Sequence, residues 1–211
     1  MPLQLREGRP DDIPAMCDVY FSAFGDTVIG SRVFLENKDA SSRMIISDYS
    51  QEILDPQFQF LVVTHKTTPD SEKEEVVAFA KWCLPGAPIK DPPPAEVWPA
   101  NGELAVEFFG TMTRGHRKHM GDTSHYYLEI IGTKKEFMRQ GAASLLIRWG
   151  LEKADAAGLP CFLEATVKGK GLYEKFGYKT VGEDVFNWPQ GRVVEAYMVR
   201  DAKTNGVQNG H

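Results

Sequence analysis

Residues Tyr126 to Trp149 read YYLEIIGTKKEFMRQGAASLLIRW, an apolar strand that passes through a basic turn containing Gly141 and runs straight into an amphipathic helix. The first turn of such a helix leaves backbone N–H groups without partners, and the macrodipole adds partial positive charge there. Anions collect at that end. Gly141 removes the side chain where a phosphate would approach the backbone, Ala142 and Ala143 keep the approach open, and Lys134, Lys135 and Arg139 bring full positive charges. Leu145, Leu146, Trp149 and Leu151 give the helix an apolar face to bury. Nucleotide motifs demand other spacings: a P-loop needs a second Gly followed by Lys and Ser/Thr, and the dinucleotide fingerprint needs G-x-G-x-x-G. Neither fits these letters. A plain strand–turn–helix connection carrying a surface charge cluster stays open on this segment alone.

The segment resembles the pyrophosphate-binding motif of the GNAT superfamily of acyl-CoA N-acyltransferases, Q/R-x-x-G-x-G/A, which falls on Met138 to Ala143 as MRQGAA. Met138 departs from the usual Gln or Arg at the first position, so the resemblance puts phosphate binding on backbone N–H groups helped by Arg139 and Gln140. A second segment, Cys161 to Tyr178 (CFLEATVKGKGLYEKFGY), resembles the family pattern N-x-x-(A/G)-x-x-L-Y-x-K-x-G-F/Y, with Thr166 at the Asn position, Gly169 at the small one, then Leu172-Tyr173 and Gly177-Tyr178. In wording the chain is most similar to small fungal-type GNAT proteins.

That resemblance implies an α+β, GNAT-like fold: a central mixed, mostly antiparallel sheet with two splayed parallel strands and flanking helices. It implies acetyl-CoA as co-substrate, its pantetheine arm in the gap between the splayed strands. Backbone groups of Ile131 and Thr133 would bond the pantetheine amides, and Met138, Arg139, Gln140, Gly141, Ala142, Ala143 and Ser144, with Thr166, would form the rest of the CoA site. Tyr173 matches the tyrosine that protonates the departing sulfur in many members, against the alternative of a core aromatic. Acyl transfer to an amine also needs a base. Glu129, which interrupts the apolar strand YYLEIIGT, is the candidate, against a solvent-facing Glu; Glu164 on the facing strand is the second carboxylate, and His125, before the strand, is a base or acceptor ligand against the expected plain loop placement.

The implied activity is acetyl transfer to a primary amine of a small molecule by direct attack in a ternary complex. The alternatives are a silent CoA-binding sensor or scaffold and a protein or peptide N-acetyltransferase. Arg139→Ala and Tyr173→Phe are the substitutions these assignments single out.

Outward from the two motifs, the remaining sequence supplies the other elements. Asp11 and Asp12 open a helix to about Phe24, with Ile13, Met16, Val19, Tyr20 and Ala23 recurring at three and four. Residues 25–35 read as a loop with partial helix, and 38–50 as a helix. Strands at 58–64 and 76–84 form a hairpin about the turn KTTPDSEKEE, and a Pro-rich surface excursion follows to about 102. A helix over 102–119 is expected to expose a cationic side made of Arg114, His116, Arg117, Lys118 and His119. A βαβ unit spans 126–164, then a short helix at 168–176 and strands near 179–184 and 192–200. Tyr20, Phe21, Phe24, Phe108, Phe109 and Trp188 are aromatics that could line an acceptor pocket, most of them expected in the core.

Composition sets the frame. The 211 residues with 42% hydrophobic content suit one core, so residues 1–200 are expected to form one domain and 201–211 a disordered tail. No apolar run reaches the roughly 18 residues of a membrane span, and the N-terminus lacks a signal-peptide core. A cytoplasmic protein is therefore expected, with no membrane partner. The net charge of −5 argues against a nucleic-acid partner and suits a cationic amine. A homodimer is allowed. Cys17, Cys83 and Cys161 are isolated and are expected to be buried and reduced, and no metal site is predicted.

Overall fold

The computed structural model describes residues 3–66 and 74–203. Among these, seven strands form one sheet in the order β1-β2-β3-β4-β5-β7-β6. The strands are β1 (Gln4–Glu7), β2 (Phe58–Lys66), β3 (Glu74–Cys83), β4 (Tyr126–Thr133), β5 (Cys161–Thr166), β6 (Lys179–Trp188) and β7 (Gly191–Arg200). All neighbouring pairs are antiparallel except β4 and β5. The helices are α1 (Ile13–Phe24), α2 (Lys38–Glu52), α3 (Gly102–Met120), α4 (Ala142–Ala157) and α5 (Val167–Lys175). This is the α+β architecture expected from the sequence. The central part of the predicted hairpin turn, 67–73, and residues 204–211 of the predicted tail lie outside the described residues.

Period-two alternation decides which helices cover which face. On β2, Phe58, Phe60 and Val62 enter a cluster with Ile13, Met16, Val19 and Ile45 of α1 and α2, while Leu61 and Val63 enter another with Leu146, Ile147 and Leu151 of α4. The sheet is thus buried on both sides. Trp82 shows how tightly: its indole donates to the Leu146 carbonyl at 3.3 Å, and a Cβ on Gly150 would stand 2.2 Å from its ring. Gly150 is therefore a packing requirement of α4. Gly150→Ala is expected to destabilise the fold by about 1–3 kcal/mol, the usual cost of overpacking a filled core. A lowered denaturant midpoint would register it, and an unchanged one would mean that the indole can move.

Two irregularities position the site. Strands β4 and β5 pair only at Tyr126–Cys161 and Tyr127–Phe162, after which they part. Between β3 and β4 the register slips, with Lys81 opposite Ile130 and Trp82 opposite Leu128, so Glu129 is an extra residue in a β-bulge.

The helix α3 corrects one expectation. His116 does not belong to an exposed cationic side: it is only 3% exposed and stacks on Phe162 at 4.4 Å. Its position four residues from both Met112 and Met120, also buried, places it on the apolar stripe. Arg117 is not free either; it pairs with Asp91 at 2.6 Å and donates to the Ile89 carbonyl, pinning the Pro-rich segment to α3. Residues 30–35, expected as loop with partial helix, form a turn of π-helix. Cys17, Cys83 and Cys161 are free and buried, as expected. Among the described residues no helix is long and apolar enough to cross a membrane.

Candidate active site

The turn 134–141 carries the chain from β4 into α4. Gly141 stands at φ +97°, where an L side chain is strained, and a Cβ there would meet nothing within 4 Å. Its bare Cα thus leaves open space at the start of a 16-residue helix. The first intrahelical bond runs from Leu145 N–H to the Gly141 carbonyl, and no side chain caps this end. The amides of Ala142, Ala143 and Ser144 precede that bond and remain for an anion.

The charges around this turn differ from the expectation. Lys134 is paired with Glu75 at 2.6 Å and Lys135 with Asp26, so neither is an unengaged phosphate ligand. Both carboxylates come from segments folded beside the turn, which the local sequence does not display. Arg139 is exposed, takes the left-handed conformation at φ +61°, and has no ion pair among the described residues. Gln140 turns its amide to the Glu136 carbonyl at 2.9 Å, and Met138 is 43% exposed. Thr166 caps α5, its hydroxyl accepting from Gly169 N–H at 3.1 Å.

Beyond Tyr127 the edge of β4 faces an opening, and parity decides which of its groups point there. Lys134 N–H donates to the Val77 carbonyl of β3, so the backbone groups of 130, 132 and 134 face β3. Those of Ile131 and Thr133 therefore face the gap. Tyr126 N–H points the other way, to the Pro160 carbonyl at the start of β5, and the bulge at Glu129 reverses the parity between them. The bulge is what aims Ile131 and Thr133 at the gap.

A cavity of about 1770 Å³ joins the Gly141 turn, this gap and an aromatic region beneath α1, α2 and α3. It exceeds the several hundred Å³ that one small ligand needs. Of the aromatics expected at an acceptor pocket, Tyr20, Phe24, Phe108 and Phe109 line it, while Phe21 and Trp188 do not.

Glu129, Glu164, Glu195, Thr166 and Tyr173 all border the same cavity. Glu129 reaches Lys81 at 2.9 Å and accepts from the Cys83 thiol at 3.0 Å. Lys81 also binds Glu52, which in turn takes Lys90 at 3.3 Å. Burial works against the Lys81 charge, but Glu129 and Glu52 more than offset it and hold its pKa above the ordinary lysine value. Glu164 is in a different state. Burial pushes its carboxyl up to about 8, the Tyr127 hydroxyl offsetting part of this, and its Oε1 has no hydrogen-bond partner. Burial likewise raises Glu195, opposite Thr166 in the sheet, to about 7. Tyr173 is 8% exposed, and burial followed by the charge of Glu195 keeps its hydroxyl protonated far above the usual range.

Lys81, Glu52, Cys83, Glu195 and the His116–His125 pair were not singled out as functional from sequence. Lys81 had a visible signal, since it interrupts the apolar strand VVAFAKWC as Glu129 interrupts YYLEIIGT, with opposite sign. The two imidazoles meet at 2.7 Å between Nε2 atoms, and His125 Nδ1 lies 2.6 Å from the Thr123 carbonyl. Burial drives His116 down to about 3, so the pair is neutral. Cys161 does not line the cavity, and burial raises its thiol to about 11, which removes it as a nucleophile.

Comparison with known proteins agrees with this geometry. The fold is similar to a histone acetyltransferase HPA2 and related acetyltransferase from Corynebacterium glutamicum, with TM-score 0.65 and 18% identity over 98% of this chain and 100% of that one. It is also similar to the ribosomal-protein-S18-alanine N-acetyltransferase of Escherichia coli, with TM-score 0.59 and 13% identity over 100% and 99% of the two chains. NAA60 of Arabidopsis thaliana, solved with a bisubstrate analogue, gives 0.61 and 11% over 96% and 99%. No curated protein matches the sequence. The acetyltransferase (GNAT) family model, however, matches residues 51–178, more than half of the chain and all of both motifs. The strand gap, the turn that follows it and this match converge: the chain belongs to the acetyltransferase (GNAT) family and is an N-acetyltransferase by kind.

Proposed function

We propose that the protein transfers the acetyl group of acetyl-CoA to the primary amine of a small molecule, by direct attack within a ternary complex. The observation that carries this reading is the single cavity that runs from the Gly141 turn through the β4–β5 gap to an aromatic and acidic region. Its volume suits two substrates meeting in the gap. The amides of Ala142, Ala143 and Ser144 with Arg139 would hold the pyrophosphate, and the gap-facing backbone of Ile131 and Thr133 the pantetheine amides. Acetyl-CoA supplies the activated thioester.

Chemistry then falls to groups already in place. Tyr173, kept protonated, donates to the departing sulfur. A carboxylate receives the proton of the acceptor's ammonium, and Glu129 and Glu164 both border the space where it would sit. Asp48, whose carboxyl is raised by burial and by Glu52, adds a further anionic group to the acceptor side. This acidity favours a cationic acceptor, and the aromatic walls favour one with an apolar body. With both free thiols of the central strands held protonated by burial, an acetyl-cysteine intermediate is disfavoured.

Release of free CoA over a panel of polyamines, arylamines, alkylamines, amino acids and peptides tests the reading. Turnover is expected with small cationic amines and not with peptides. Turnover confined to peptides would move the assignment to a protein N-acetyltransferase, and binding of acetyl-CoA without turnover would make the chain a CoA-binding sensor.

A further inference from the structure

We propose that Glu164, not Glu129, accepts the proton of the acceptor's ammonium, and that Glu129 is a positioning residue that holds the β4 bulge. This rests on the acyl-transfer reading above.

The ground is the different commitment of the two carboxylates. Both oxygens of Glu129 are engaged, one by Lys81 and the other by the Cys83 thiol. Protonating Glu129, itself partly exposed, would remove one of the two carboxylates, with Glu52, that hold the buried Lys81 ammonium, which is costly for a buried charge. The same contacts fix the extra residue of the bulge, and with it the parity that turns Ile131 and Thr133 to the gap. Glu129 therefore has a structural task that proton transfer would interrupt.

Glu164 has no such task. It lies two residues past Phe162, the last residue of β5 paired with β4, so it stands at the mouth of the opening. Glu164 lines the cavity, and its Oε1 is buried with no partner. A buried carboxyl oxygen without a donor is unfavourable unless a ligand supplies one. An ammonium N–H entering the gap would do so. The groups that act on Glu164 are Tyr127 and Glu129 on β4 and Glu195 and Tyr197 on β7; His116 of α3, packed on Tyr127, is neutral. Two carboxylates and no cation among these favour the protonated acid until a cationic substrate arrives. The arriving ammonium lowers the pKa of Glu164 from about 8 toward working pH, so that the carboxylate is present to take the proton.

The protons balance. The ammonium gives one proton to the Glu164 carboxylate and becomes a neutral amine. Its nitrogen lone pair forms the C–N bond at the thioester carbon, and the C–S bond breaks with its electron pair on sulfur. Sulfur takes the Tyr173 hydroxyl proton, and the second amine proton returns to Tyr173 as the amide forms. One proton leaves from Glu164 to solvent at the end of each cycle.

Benzylamine, an ammonium at neutral pH, and aniline, already neutral, separate the roles. In Glu164→Gln, kcat/KM for benzylamine is expected to fall about 100-fold, the usual contribution of a positioned base, while aniline is affected by less than about tenfold. Glu129→Gln should weaken both acceptors alike and should raise the KM for acetyl-CoA. Equal loss on both acceptors in Glu164→Gln, or no loss on either, overturns the proposal. If only benzylamine is a substrate, the pH profile decides: loss of the limb near 8 in Glu164→Gln supports the assignment and its retention refutes it. Melting temperature and acetyl-CoA binding of the variant exclude a folding defect. If neither amine is turned over, an alkylamine and an arylamine accepted in the wider panel take their place; acetyl-CoA binding by a wild type that turns over no member of that panel would sink the enzymatic reading itself, and the base with it.

Discussion

Tyr173→Phe is expected to lower kcat by about 100-fold or more while leaving acetyl-CoA affinity within about twofold, because in the proposed mechanism the lost group acts only as the sulfur departs. The substitution is well suited to the site. Tyr173 is 8% exposed in α5 and packs its ring near Tyr178, at 6.0 Å between centroids, and against Gly169. Phe keeps that packing, so a loss of turnover reports the hydroxyl and not the fold. Burial, followed by the charge of Glu195, raises its pKa, so the hydroxyl stays a proton donor through neutral pH. Loss of the acid should therefore show no new pH dependence of its own. Steady-state kinetics with titration calorimetry on the same preparation checks both halves, and unchanged turnover would return Tyr173 to the core.

Gly141→Asp is expected to weaken acetyl-CoA binding by at least about 100-fold, some 2.7 kcal/mol. Two penalties add. At φ +97° any L side chain is strained by about 1–2 kcal/mol, so the free variant relaxes this turn and must restore it to bind. The carboxylate would also stand in the open space where the pyrophosphate must come, replacing attraction by like-charge repulsion. Gly141→Ala divides the terms: it keeps the strain, adds no charge and meets no atom within 4 Å, so it should lose roughly tenfold. Affinity indifferent to Asp would place the phosphates elsewhere.

Both predictions concern motifs whose local form was legible in the letters. YYLEIIGT followed by MRQGAASLLIRW gave the strand with its bounds, the turn and the start of the helix, because Gly141 marks the break and the apolar periodicity changes across it. The parting of β4 from β5 was legible only through the family resemblance. No property of Leu128 or Leu163 forbids pairing; the strands part just before the bulge at Glu129, which only the β3–β4 register reveals.

Charge pairing was the least legible part. Lys134 and Lys135 look like phosphate ligands beside Gly141, yet Glu75 and Asp26 reach them from distant segments. Lys81 and Glu129 are 48 residues apart, and only the β3–β4 register brings their side chains together. His116 is a different kind of miss. Its spacing from Met112 and Met120 is visible in the sequence, but its neighbours Arg114, Arg117 and Lys118 suggest a solvated face. Periodicity outweighs local composition when an imidazole falls on an apolar stripe.

In the proposed mechanism acetyl-CoA enters between β4 and β5 with its phosphates on the turn before α4. Backbone hydrogen exchange of the whole chain, with and without saturating acetyl-CoA, tests that most directly. Protection is predicted at the amides of Ile131 and Thr133 and across Gln140 to Ser144, with little change at the outer strands β1 and β6. Protection absent from those two segments while acetyl-CoA is bound would contradict the site.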